Sequence, residues 1–228
     1  MKRYLVRPSD GYSPGREQNL LISPSKHFYL STSGRLKRQQ KAIDPRLPGA
    51  KCLLVRLVLL DVDTGTLYGE MQRLDDQDVW GFLARAWSVK HDHPMRGIPQ
   101  QLNVPKGAWT DPLIREEVNE LAEAYDISIE YLPPGFSAGI HAVKNFENAV
   151  GVLLNARDDT GMFILQSASA LLSRQASSGD SHMWDKDWYA LEGPDDDFNT
   201  MIDQQYDPEG AWRMGAYAKV IHGVKHED

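Results

Sequence analysis

Cys52-Leu-Leu-Val-Arg-Leu-Val-Leu-Leu60 runs straight into Asp61-Val-Asp63-Thr-Gly65-Thr-Leu-Tyr-Gly69. A run of β-branched and aliphatic residues ended by a Thr-Gly turn reads as a buried central strand. Thr66 to Met71 can fold back as its antiparallel partner. Asp61 and Asp63 are two apart, so on a strand they share a face. Two readings follow. The carboxylates stand at the exit of a buried strand, where a metal or a charged substrate would be met. Alternatively they belong to the turn itself, because Asp hydrogen-bonds its local backbone there. Cys52 is the chain's single cysteine; it cannot form an internal disulfide and reads as a small buried apolar residue.

Downstream, elements alternate. Asp75-Asp-Gln-Asp78 supplies capping acids for a helix through Val79, Trp80, Phe82, Leu83, Ala86 and Trp87. His91-Asp92-His93 follows, either as imidazole and carboxylate metal ligands or as a cap on that helix's C-terminus. Gly97 to Gly107 holds a short strand. Asp111-Pro112 opens a helix with proline in its tolerated first position, continuing through Leu113, Ile114, Val118, Leu121, Ala122 and Tyr125. Asp126 to Tyr131 alternates as a strand, Pro133 to Gly139 is a loop, and Ile140 to Leu154 is a helix. A hairpin followed by helix–strand–helix–strand–helix predicts an α/β fold with crossover connections.

Charge is unevenly divided. Residues 1–56 carry twelve Lys or Arg against Asp10, Glu17 and Asp44, a balance of +9, so the rest carries −16 of the total −7. Residues 1–50 are rich in Pro, Gly and Ser, with short strands expected at Arg3–Arg7 and His27–Ser31. Arg35, Lys37, Arg38 and Lys41 cluster there as a solvated face or a phosphate-contacting arm. The acidic total argues against a large, indiscriminate nucleic-acid surface. No apolar stretch is long enough to span a bilayer, and the basic start lacks a signal peptide's apolar continuation. A cytoplasmic location, without membrane contact, is expected.

Three segments, in order, resemble a retroviral-integrase or DDE-transposase catalytic core of the ribonuclease H-like superfamily. Leu60-Asp61-Val-Asp-Thr-Gly65 through Gly69 is similar to that family's first-strand Asp, turn and glycine-bearing second strand. Gly97-Ile-Pro99-Gln-Gln-Leu102 to Gly107 is similar to the segment ending Asp-Asn-Gly. Ile127-Ser-Ile-Glu-Tyr-Leu-Pro-Pro134 is similar to the strand and loop before the catalytic-Glu helix. The resemblance implies a ribonuclease H-like mixed sheet flanked by helices over residues 51–155. On it, 1–50 is a basic N-terminal extension and 156–228 a helical and acidic C-terminal extension.

Carried over residue by residue, the family's first Asp falls on Asp61, its second on Pro105, and its Glu on or near Lys144. In such enzymes three carboxylates hold two divalent cations that activate water and stabilise the leaving oxygen. Proline offers no side-chain ligand, and lysine puts a positive charge where the cations belong. The resemblance therefore implies a catalytically inactive core with no cofactor, a DNA-associated or protein-interaction module of a mobile element or phage. Arg35, Lys37, Arg38, Lys41, Lys106 and Lys144 would then contact phosphates or an acidic partner. A shifted triad of Asp61, Asp111 and Glu147, with Asp63 beside Asp61 as a metal ligand, would instead restore a strand transferase or nuclease using Mg²⁺ or Mn²⁺. His141 lies near the same helix start. A third reading is a scaffold or inhibitor whose acidic segment grips a basic protein. Among partners, DNA, a protein of the same mobile element and a second copy of the chain (a homo-oligomer) are expected.

The last reading draws on the C-terminal region. A helix is expected over residues 156–176, then a serine-rich linker. From Asp180 to Glu209 there are ten acids against Lys186 alone, interleaved with Trp184, Trp188, Tyr189, Phe198 and Tyr206. Such a segment resembles a docking peptide, set to pack on its own basic region or to mimic phosphate charge. No helix-turn-helix, zinc finger or phosphate-cradling glycine loop is evident, so unaided sequence-specific recognition is not expected.

Overall fold

The expected strand and its partner form a hairpin, β3 (Cys52–Asp61) and β4 (Leu67–Arg73), paired antiparallel from Leu60↔Leu67 to Leu54↔Arg73. A computed structural model describes residues 15–44, 49, 51–88, 90, 92–105, 112–132 and 137–177. The hairpin is not the middle of the sheet. β3 pairs on its other side with β1 (Glu17–Leu30), antiparallel from Gln18↔Asp61 to Leu30↔Cys52. β1 also pairs in parallel with β5 (Gln101–Pro105), and β5 with β6 (Ser128–Leu132). The mixed six-stranded sheet has the order β4-β3-β1-β5-β6, with the short β2 (Leu36–Arg38) added to β1.

This corrects the boundary expected at residue 50. Residues assigned to an N-terminal extension supply the central strand. Gln18, Asn19, Ser23, Pro24 and Ser25 hide β1 from a hydrophobic-run search. The strand accommodates Pro24 because its pairing with β3 shifts register between Pro24 and Tyr29, and a bulge is where a sheet tolerates a missing N–H.

Both faces of the sheet are covered. Along β3, Val55, Leu57 and Leu59 point to one core, and Leu54, Val58 and Leu60 to the other, the two-sided burial that produces a continuous apolar run. α1 (Val79–Trp87) and α2 (Pro112–Ala124) bring Phe82, Trp87, Val118 and Ala122 to the first core. α3 (Ser137–Ala156), α4 (Met162–Ser167) and α5 (Ser169–Ala176) bring Phe146, Val150, Leu165 and Leu172 to the second. Asp78 caps α1 by accepting the Gly81 N–H at 2.7 Å. The single helix expected over residues 156–176 is two, divided at Ala168, where ψ is 0°. Arg3–Arg7 lies outside the described residues.

β4 would be an open edge, but α5 closes it. Ser173 Oγ accepts the Gly69 N–H at 2.9 Å and Ser177 Oγ the Leu67 N–H at 3.0 Å. Serines four apart share a helix face, and N–H groups two apart share a strand edge, so the two repeats match. These two groups are thereby withdrawn from pairing with another chain. Gly69 has a further reason: a methyl group there would lie 2.7 Å from Phe146 Cδ2. Gly69→Ala should therefore lower stability by about 1–3 kcal/mol through overpacking, read as a reduced urea midpoint with an unchanged m-value.

Candidate functional site

Asp61 is buried, and its carboxylate is fully engaged in the turn. It accepts hydrogen bonds from the Gly15 N–H at 2.7 Å, the Thr64 N–H at 2.9 Å and the Thr64 hydroxyl at 2.7 Å. Asp63 forms an ion pair with Arg16 at 3.3 Å. Of the two sequence readings, the geometry matches the turn: Asp61 stitches the β3–β4 connection to the start of β1. Burial pushes its carboxyl up to about 6, against the pull of those three hydrogen bonds and with a small contribution from Asp63.

Glu147 is elsewhere. Its carboxylate meets Arg56 Nη1 at 3.0 Å and accepts the Ser25 hydroxyl at 2.8 Å. Arg56 Nη2 in turn donates to the Pro24 carbonyl at 2.7 Å. Ser25 Oγ accepts the Phe28 N–H at 3.1 Å, so the network braces the bulge of β1 from α3. Arg56 and Asp61 are five residues apart on β3, roughly 16 Å at strand rise. Asp61 and Glu147 are therefore not brought together. β1 separates β3 from β5, with Gln18 paired to both Asp61 and Leu102. Positions on β3 and β5 thus have a strand between them. Asp111 and Lys106 lie outside the described residues. Among the described residues, no three His, Cys, Asp or Glu side chains are grouped to hold a metal ion.

His91 also lies outside the described residues, and Asp92 is exposed. His93 is buried, with Nε2 2.8 Å from the Leu67 carbonyl and Nδ1 accepting the Met95 N–H at 3.1 Å. Burial lowers its pKa to about 3, so the neutral ring is a strut between this loop and β4. The cap on α1's C-terminal end comes from Lys90 instead. Its ammonium donates to the carbonyls of Arg85, Ala86, Ser88 and Met95 at 2.6–2.8 Å, as expected of a cation at the negative end of a helix.

The strands that do adjoin, β1, β5 and β6, carry a polar ladder the motif reading missed. Asn103 Nδ2 donates to Glu17 at 2.7 Å and to Asn19 at 2.8 Å. Gln101 Nε2 donates to Asn103 Oδ1 and to Glu130 Oε2, both at 2.8 Å. The signal was present as Glu17-Gln-Asn19 and Gln101-Leu-Asn103, polar pairs at strand spacing that must share a face. Here the groups bridging β1, β5 and β6 are amide hydrogens. They hold the two carboxylates at the ladder's ends by hydrogen bonding, whereas a divalent cation requires converging oxygens.

The basic cluster is built on the β1–β2 ribbon, paired Phe28↔Arg38, Tyr29↔Lys37 and Leu30↔Leu36. Lys26, Arg35, Lys37, Arg38 and Lys41 are all exposed. Arg38 lies over the Phe28 ring at 5.7 Å, and Lys51 over Tyr29 at 5.5 Å. His27, Arg38, Gln39 and Gln40 line a shallow groove. Lys144 and His141 are exposed on α3, with Lys144 seven residues before Gly151, roughly 10 Å along the axis. Gly151 is where α3 approaches Phe28 and Arg38.

Two outcomes follow from the engaged acids. Glu147→Ala should cost about 3–5 kcal/mol by leaving Arg56 buried without its partner, measured by urea unfolding. The folded-state pKa of Asp61 lies above that of an unfolded Asp, so its contribution is full below about pH 4 and lost as pH rises through about 6. Stability measured from pH 4 to 7 should fall by up to about 3 kcal/mol more in wild type than in Asp61→Asn. No known protein-family model matches this chain, and no curated protein is similar to it at a significant level.

Proposed function

We propose that this chain is a non-catalytic, ribonuclease H-like relative of integrase and transposase cores that associates with DNA through the β1–β2 ribbon. The carrying observation is the ribbon itself. Residues 26–41 hold five Lys or Arg and no acid, all five exposed, on the β1–β2 pair (Lys26, Lys37, Arg38) or just beside it (Arg35, Lys41). Phosphate neutralisation by such groups supplies most sequence-independent affinity for DNA.

Two further observations support the reading. A mixed sheet flanked by helices on both faces accords with the coarse fold that the three motifs imply. A two-cation site needs carboxylates that converge within a few ångströms, and neighbouring strands are the simplest way to supply them. On β1 and β5 the facing residues are Asn19 and Asn103, whose amides bond to each other, and the nearby Glu17 carboxylate accepts from Asn103. The other acids considered, Asp61 and Glu147, are engaged in a turn and in an ion pair. The ribbon contacts phosphate, and the rest of the domain holds the ribbon in place.

The test is the salt dependence of binding to duplex DNA, followed by fluorescence anisotropy. Contact with four or five phosphates should give a slope of log K on log salt of about −4. The triple variant Arg35→Gln, Lys37→Gln, Arg38→Gln should bind at least about tenfold more weakly at low salt, with a slope shallower by about 3. Absence of binding by wild type, or identical slopes for both proteins, would refute the reading.

A further inference from the structure

The ribbon's positive charge differs from the other charge in the domain. Several cations elsewhere are held in ion pairs: Arg56 with Glu147, Arg73 with Asp75, Arg85 with Glu70 and Arg157 with Asp159. Lys90 is surrounded by helix-end carbonyls. The ribbon gathers five cations over sixteen residues with no acid among them. The same chain carries the opposite composition in residues 180–209, ten acids against Lys186, which lie outside the described residues.

Reach permits the two to meet. The described chain leaves α5 at Ser177, whose hydroxyl accepts the Leu67 N–H at 3.0 Å. Leu67 pairs with Leu60, and the ribbon's Tyr29 pairs with Leu53, seven residues along β3 and about 23 Å. Crossing from β4 to β2 adds three strand spacings, about 14 Å. The straight path is therefore roughly 27 Å. Asp195 is eighteen residues beyond Ser177, an extended reach of up to about 60 Å. An intrachain partner is present at an effective concentration in the millimolar range, and opposite charges strengthen its encounter with the ribbon. Trp184 and Trp188 add aromatic faces suited to Lys and Arg.

We infer that the acidic segment 180–209 docks on the β1–β2 ribbon of its own chain and occupies the surface that nucleic acid would use. The docking contact stands on charge and reach alone; its role as a competitor rests on the reading given under Proposed function. A ribbon covered nine-tenths of the time would bind DNA with apparent affinity reduced about tenfold.

The experiment uses the full chain at low salt and micromolar or lower concentration. A carbodiimide links touching amines and carboxylates without a spacer, and peptides are mapped from the monomeric band. Links from Lys26, Lys37 or Lys41 to acids in 180–209 are expected, diminished by added duplex DNA. In parallel, Asp195→Asn, Asp196→Asn, Asp197→Asn should raise DNA affinity by at least about fivefold. Absence of such links from the monomeric band, or unchanged affinity in the variant where wild type binds DNA, would overturn the inference. Links confined to dimeric bands would overturn it too, in favour of contact between chains. Links in the monomer with no DNA binding by either protein would leave the docking standing and refute the DNA reading instead.

Discussion

A guanidinium buried inside an otherwise apolar strand governs how this domain is assembled. Arg56 stands between Leu54 and Val58 on the face that α3 and α5 cover, 7% exposed. Burial lowers its pKa, and the Glu147 carboxylate opposes that shift. A charge so placed is tolerable only if it is paired and hydrogen-bonded. The partners come from two directions: Glu147 from α3, and the carbonyls of Ser23 and Pro24 from the bulge of β1. The requirement of one side chain thus fixes the seat of α3 and the irregularity of the central strand together. On the opposite face, Glu70 of β4 plays the corresponding part with Arg85 of α1, at 2.6 Å. Each helical layer carries a buried ion pair to the hairpin, and the apolar contacts fill in around it.

The bulge has consequences for the surface. Below it, β1 runs between β3 and β5 and is buried on both sides. Beyond it, Phe28 to Leu30 leave β5 and pair with β2. The same strand is therefore a core element at one end and an exposed ribbon at the other. Phe28 and Leu30 anchor the ribbon in the second core, leaving Lys37, Arg35 and Lys41 in solvent. The anchored ribbon presents its cations on a rigid base, with less conformational entropy to lose on contact than a free basic tail.

The polar ladder across β1, β5 and β6 illustrates a different economy. Asn103 and Asn19 are almost wholly buried, 3% and 5% exposed, and each Asn103 amide hydrogen has an acceptor. Buried amides satisfied in this way specify the pairing of strands that have no hairpin to set their register. The parallel strands need that help, since β5 and β6 are five residues each and joined through long crossovers.

Local signals sufficed for much of the chain. The apolar run of β3, the capping Asp78 of α1, and the periodicities behind α2, β6 and α3 are properties of short windows, and each element formed where its window lies. The Asp61 turn was also legible as one of two readings, because Asp-x-x-Thr can close on itself without any distant partner. What short windows could not decide is which strand lies beside which. β1 is interrupted by proline and polar residues, and its strand character comes from having β3 on one side and β5 on the other. Asp61 lies five residues along β3 from Arg56, the partner of Glu147, about 16 Å at strand rise; with β1 in the centre, Asn19, silent in any motif, faces Asn103. Pairing between segments eighty residues apart depends on loop closure and burial, which only the folded chain can balance.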